Sequence, residues 1–299
     1  MKLLFSLIIL FQLISFIKSE RGYYTFREDE RKCASPECGG LFLKKINSPE
    51  DEIYVSSYMM VNANLNPTSI EDDKNIIVSG YVMPSDEGDG YNGFFLKGIH
   101  QRMIIPKLGD NVESPSKATN IITRESDSYY FLSNHSTECI DTDSCPIYKS
   151  LKINSKESTN FSTYTEPYTT SVPLLDLKWF NSRLIKEHVE SIYVGSIVLG
   201  TIEANQLSIT EIFINIEDPV FPCKKNTNYC STLHIPTFSR SSDRCPIFEG
   251  CVLRKPCHLA IPSCPKGYKS YSYPSHPNGC LKYYCDPECL PNPHRVSGP

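Results

Sequence analysis

Nine of the thirteen cysteines fall within one short stretch, at positions 223, 230, 245, 251, 257, 264, 280, 285 and 289. The other four, Cys33, Cys38, Cys139 and Cys145, serve everything before it. The end of that stretch, CHLAIPSCPKGYKSYSYPSHPNGCLKYYCDPEC, has few apolar side chains for its length. A segment of this kind cannot hold itself together with a core and needs covalent staples. Its fold therefore depends on a compartment that oxidises thiols.

The first nineteen residues, MKLLFSLIILFQLISFIKS, agree with that requirement. Lys2 supplies a positive start. Leu3 to Ile17 form an apolar run broken only by Ser6, Gln12 and Ser15, and Ser19 is a small residue before Glu20. This is the form of a secretory signal peptide, and it is short against the roughly twenty apolar residues of a spanning helix. A retained signal-anchor is the alternative. No later segment is apolar enough to span, so no stable membrane span is expected after signal removal, and the chain reads as secreted, extracellular or lumenal. Asn134-His135-Ser136 and Asn160-Phe161-Ser162 are then usable glycosylation sequons.

With 40% hydrophobic residues in 299, the chain can bury a real core. The formal net charge is −4 with no basic run, which argues against nucleic acid as a partner. The shift in cysteine density places a boundary at residues 216–222, IEDPVFP, between a domain at 20–215 and a cysteine-rich module at 223–299. The first of these is expected to fold alone.

Residues 20–215 read mainly as strands: YYTF, LFLKKI, EIYVSSYMMV, NIIVSGYVM, GFFLKGI, SYYFLS, SIYVGSIVL and LSITEIFI are short, rich in β-branched or aromatic residues, and bounded by turn formers. One helix is expected, with Pro173 near its first position after Ser171 and Leu174, Leu177, Phe180 and Leu184 at helical spacing around Trp179.

Several features recur in order. Tyr23-Tyr24 precedes Cys33 and Tyr129-Tyr130 precedes Cys139 by the same interval; CGGLFLKKIN (38–47) parallels CPIYKSLKIN (145–154); NIIVSGYV (75–82) parallels SIYVGSIV (191–198); and GFFLKGI parallels QLSITEI. The expectation is an internal duplication with halves at about 20–110 and 125–215. The fold class is thus mainly β: a duplicated antiparallel β domain with one inserted helix, followed by a small disulfide-rich C-terminal module.

The stretches YYTFREDERKCASPECGGLFLKKIN and TECIDTDSCPIYKSLKIN resemble an uncharacterised secreted domain family catalogued as domain of unknown function 6748, over residues of about 22–215. The resemblance implies secretion. It supplies no activity and no catalytic residues. The tail loosely resembles antistasin-type cysteine-rich inhibitor modules, although the gap from Cys280 to Cys285 is wider than theirs.

Cys33 and Cys38, like Cys139 and Cys145, stand too far apart for a C-x-x-C redox centre, and four cysteines form a zinc site only where oxidation does not compete. Structural disulfides are expected, one local bridge in each copy. The loop Asp86-Glu87-Gly88-Asp89-Gly90 is acidic but lacks EF-hand spacing. His100, His135, His188, His234, His258, His276 and His294 form no H-E-x-x-H pair, and no nucleophile elbow, P-loop or dinucleotide fingerprint appears, so no metal, cofactor or catalytic residue is assigned.

The expected role is a non-enzymatic binding or structural protein whose partner is an extracellular protein or glycan. The alternative is a protease inhibitor whose loop CVLRKPC presents Arg254 or Lys255 to a trypsin-like pocket. An enzyme of unfamiliar type on the β domain is a third reading. An odd cysteine count leaves one unpaired, with Cys223, Cys230 and above all Cys289 as candidates, and a disulfide-linked dimer as one consequence.

Overall fold

The structure, a computed structural model, describes residues 21–60, 75–84, 91–106, 126–135, 147–187, 195–216, 223–224, 229–257 and 261–291. The leader, the acidic loop at 86–90, Cys139, Cys145 and most of the 216–222 segment lie outside the described residues. The chain divides into two compact units, Met1–Ile99 and His100–Pro299.

The first unit pairs its strands mainly antiparallel. Its strands are β1 (Gly22–Glu28), β2 (Leu41–Lys45), β3 (Ile53–Met60), β4 (Ile76–Pro84) and β5 (Asn92–Arg102), the last running on past the boundary. β1 lies between β2 and β4, β3 pairs with β2, and β5 with β4. A parallel pairing of β3 with β5, from Val55 opposite Asn92 to Met60 opposite Leu96, closes the five strands into a ring. Alternation decides which side chains go inside. Phe26, Leu43 and Ile53 stand opposite one another, and Leu43 and Val55 are fully buried. Arg27, Phe42 and Tyr54 form the next row and, with a strand period of two, face outward.

The second unit contains β6 (Ser128–Asn134), β7 (Tyr148–Lys152), β8 (Ser158–Phe161), β9 (Thr163–Thr165), the helices α1 (Tyr168–Ser171) and α2 (Leu177–Leu184), β10 (Ile185–Lys186), β11 (Ile197–Glu203) and β12 (Gln206–Asn215). β6 lies between β7 and β11, β8 pairs with β7, β12 with β11, and β9 pairs with β12 in parallel. This too is a ring, with β8 and β9 together doing the work of one strand.

The two rings share their registers. Tyr24 stands opposite Lys45 in one, and Tyr130 opposite Lys152 in the other. The amide of Ile46 donates to the carbonyl of Tyr23 at 3.1 Å, and that of Ile153 to Tyr129 at 3.0 Å. Asn47 and Asn154 follow, both left-handed at φ 54 and 58; asparagine tolerates that region better than most residues, which accounts for the recurring Ile-Asn. The parallel closures match as well, with Ser57, Tyr58 and Met59 opposite Gly93, Phe94 and Phe95, and Thr163, Tyr164 and Thr165 opposite Gln206, Leu207 and Ser208.

One sequence match shifts. Tyr24 pairs with Val78 and Tyr130 with Val198, so 75–82 corresponds to 195–202 and not to 191–198. Gly80 and Gly200 explain the frame. A Cβ on Gly80 would sit 2.1 Å from the Phe95 carbonyl oxygen, and one on Gly200 2.2 Å from that of Ser208. Each glycine lets the neighbouring strand approach at a matched position.

The single expected helix is two short ones. Leu174, placed inside it by spacing, has φ 61 and is 43% exposed. α2 begins where Asp176, in an extended conformation, accepts a hydrogen bond from the Trp179 amide at 3.3 Å. An aspartate cap satisfies a helix-start amide better than the stretch at Pro173 does. Trp179, Phe180 and Leu184 are buried, whereas Leu177 of the same spaced set is 52% exposed.

The cysteine-rich segment forms two hairpins, β13 (His234–Arg240) with β14 (Pro246–Leu253) and β15 (Tyr268–Ser275) with β16 (Cys280–Pro287). Their pairings correspond: His234 stands opposite Leu253 and Tyr268 opposite Pro287; Pro236 opposite Cys251 and Ser270 opposite Cys285. Tyr268 and Cys285 join the same buried cluster as Met103, Phe161, Tyr168, Trp179 and Leu207. The Tyr268 hydroxyl donates to the Ile104 carbonyl at 2.7 Å, and the Cys285 amide to that of Leu174 at 2.9 Å. The compact division falls within β5, and the second cysteine-rich hairpin shares a core with the second ring.

Candidate functional site

Cys33 and Cys38 are bonded to each other in the β1–β2 loop. In the tail, Cys223 is bonded to Cys245, Cys230 to Cys251, Cys257 to Cys280 and Cys264 to Cys285. First to third and second to fourth, the pattern occurs twice, once per hairpin. Each bridge closes about twenty residues, worth about 3 kcal/mol by loop entropy. Cys289 is unpaired. Burial pushes its thiol up to about 11. Among the described residues, no three or more His, Cys, Asp or Glu side chains gather as metal ligands.

The loop between Cys251 and Cys257 leaves β14 at Leu253 and is anchored at both ends by disulfides, to Cys230 and Cys280. Arg254 and Lys255 are exposed on it, and Leu253 is 55% exposed. The Lys255 amide reaches the Asn278 carbonyl at 3.4 Å. The sequon residues Asn134, at the end of β6, and Asn160, on β8, are both exposed.

A further cluster lies on the outer face of the first ring. Phe42 and Tyr54 stand opposite each other with ring centroids 5.2 Å apart. The Arg27 guanidinium lies 4.0 Å above the Phe42 ring, and Arg31 lies 5.4 Å from Phe42 and 5.1 Å from Tyr54, distances at which a cation is drawn to a ring face. Both arginines are forked onto carboxylates. Arg27 donates from Nε and Nη2 to Glu52 at 3.0 and 2.7 Å, and Arg31 from Nε and Nη2 to Asp29 at 2.9 Å each. These hydrogen bonds hold the Glu52 and Asp29 carboxyls below their ordinary values. The stapled loop is fastened to the same place, since the Tyr54 hydroxyl donates to the Pro36 carbonyl at 2.9 Å and Arg31 to that of Glu37 at 2.8 Å. Sequence reading missed this cluster because residues 27, 31, 42 and 54 become neighbours only through strand register.

A third arrangement is buried. Arg240 forks onto Asp286, with Nη1 2.8 Å from Oδ1 and Nη2 bonded to Oδ2. Asp176, the cap of α2, lies 3.2 Å from the same guanidinium, and Arg244 3.3 Å from Asp286. Burial lifts the Asp176 carboxyl above its ordinary value and lowers that of Arg244, whereas the Asp286 hydrogen bonds and charge outweigh burial at Arg240 and raise it. Every charge here has a partner, as a structural brace requires.

Residues 22–92, from β1 to the first residue of β5, match the family described as Domain of unknown function (DUF6748). The chain is also similar to an uncharacterized protein of Dictyostelium discoideum, at 28% identity over 278 residues covering 91% of this chain and 89% of the relative. No solved structure matches it. Among the described residues, no helix is long and apolar enough to cross a membrane.

Proposed function

We propose that this chain is a secreted, disulfide-bonded glycoprotein acting as a non-enzymatic binding or structural protein, built by two internal duplications. The ring at 20–110 recurs at 125–215, and the hairpin module at 223–253 recurs at 257–287. The doubled disulfide framework carries the reading, because such bonds form and last in an oxidising compartment. The leader at 1–19 and the exposed Asn134 and Asn160 support it. Expression of the full chain in a secretory host tests it. The expected product is in the medium, begins at or near Glu20 and loses mass with a glycosidase. A reduced, unglycosylated chain retained in the cell contradicts the reading.

The alternative is a protease inhibitor acting through the tail, and one observation favours it: Arg254 and Lys255 are exposed on a loop fastened by disulfides at both ends. Such a loop loses little freedom when a protease binds it. This reading expects stoichiometric inhibition of trypsin by the intact protein, abolished by replacing Arg254 and Lys255 together with alanine. Unchanged trypsin activity in excess protein rules it out.

A further inference from the structure

The matched rings differ on one outer row in a way that bears on binding. The outward row Arg27–Phe42–Tyr54 of the first ring corresponds in register to Ser133, which is buried, and to Lys149 and Asn160 of the second. The residue matching Tyr54 is thus Asn160, exposed and heading a sequon. One ring presents aromatic rings and guanidinium planes; the other presents a lysine and a glycan acceptor.

The connectivity adds to this. Each ring has a first strand between the second and fourth, and a third strand parallel to the fifth. That is the arrangement of OB barrels, which as a class take oligonucleotides or oligosaccharides across strands two and three and the first loop. The aromatic–arginine cluster occupies that location in the first ring. Fold analogy alone assigns nothing; the chemistry of the cluster does the selecting.

We propose that the outer face formed by Phe42, Tyr54, Arg27 and Arg31 binds a neutral oligosaccharide. This deepens, and rests on, the reading as a binding protein. Adjacent strands lie about 4.8 Å apart, so a three-strand row spans about 10 Å, room for a disaccharide unit. Aromatic and guanidinium planes offer flat surfaces to the C–H faces of sugar rings. The forked pairs Arg27–Glu52 and Arg31–Asp29 hold donors and acceptors side by side for hydroxyl groups. Because each arginine is matched by a carboxylate, neither guanidinium is an unpaired positive charge of the kind on which polyanion binding depends. The loop is already fastened by Cys33–Cys38, Tyr54 and Arg31, so little ordering remains to be done on binding.

Calorimetric titration of the full secreted protein tests this, with hexasaccharides of β-linked glucose and of β-linked N-acetylglucosamine, and with a heparin hexasaccharide and a thymidine oligonucleotide as charged probes. Saturable binding of a neutral hexasaccharide is expected. Phe42→Leu, which keeps apolar bulk, and Arg31→Ala should each weaken it by about tenfold or more, while Lys149→Ala, at the matched position, leaves it unchanged. Thermal melts of each variant separate lost binding from lost folding. Binding of neither neutral probe, binding of the charged probes alone, or equal affinity in all three variants overturns the proposal. A secreted, glycosylated preparation that binds no neutral probe overturns this inference only; an unsecreted, unglycosylated product overturns the reading beneath it.

Discussion

Arg240 on the first tail hairpin forks onto Asp286 on the second, and both side chains are 1% exposed. Asp176, which starts α2, touches the same guanidinium. One side chain thereby ties three segments of the second unit together. Replacing Arg240 with Met keeps the bulk but strands two buried carboxylates with Arg244 as their remaining guanidinium. Loss of one partner from a buried pair costs about 3–5 kcal/mol, and urea denaturation of Arg240→Met should show a loss of that size. A change under about 1 kcal/mol would mean that the network contributes no net stability.

Deleting the tail should damage the second ring. Tyr268 and Cys285 sit in its core, and Tyr268 bonds the Ile104 carbonyl. A chain ending at residue 216 is expected to expose Trp179, seen as a red-shifted, quenchable fluorescence. Native Trp179 fluorescence in the truncated chain would show instead that residues up to 215 are self-sufficient, the expectation drawn from sequence.

Much of the first ring could be read in the amino acids. Paired tyrosines, the spaced cysteines and the Ile-Asn ending marked the same hairpin twice, because strand alternation and a left-handed turn residue leave local traces. The frame of β11 did not. A valine near a glycine fits two frames four residues apart, and the choice depends on which carbonyl the glycine must clear. The tail repeat was present as C-x6-C-x14-C-x5-C followed by C-x6-C-x15-C-x4-C, but counted as one set of nine cysteines it showed no period. The Arg27, Phe42 and Tyr54 row left no sequence trace, since cross-strand neighbours are a product of register.

Gly80→Ala and Gly200→Ala should behave alike. Each new methyl meets a carbonyl oxygen of the adjacent strand, and overpacking of this kind costs about 1–3 kcal/mol. Thermal unfolding of the two variants checks it. A neutral Gly200→Ala beside a damaging Gly80→Ala would break the structural equivalence of the rings.

Stability should fall on the alkaline side. Burial raises Tyr129 to about 12 and also raises Tyr168 and Tyr268, while Cys289 is raised to about 11. In the unfolded chain a tyrosine loses its proton near 10 and a thiol near 8.5 to 9. Between those values and the folded ones, the unfolded state holds fewer protons, so stability declines as pH rises. The decline begins near pH 9 and is about 1.4 kcal/mol per group and pH unit where fully developed. Denaturation midpoints from pH 7 to 11 measure it; a flat profile would show that these groups are not buried.

Disulfide mapping tests the central claim, that the tail is one stapled module used twice. Full-length secreted protein is alkylated without reduction, with and without denaturant, digested, and its linked peptides identified by mass spectrometry. The structure predicts Cys223–Cys245, Cys230–Cys251, Cys257–Cys280 and Cys264–Cys285, with Cys289 in none of these bonds. Bonds running between the two sets of four, or Cys289 linked to another cysteine of this chain, would contradict it.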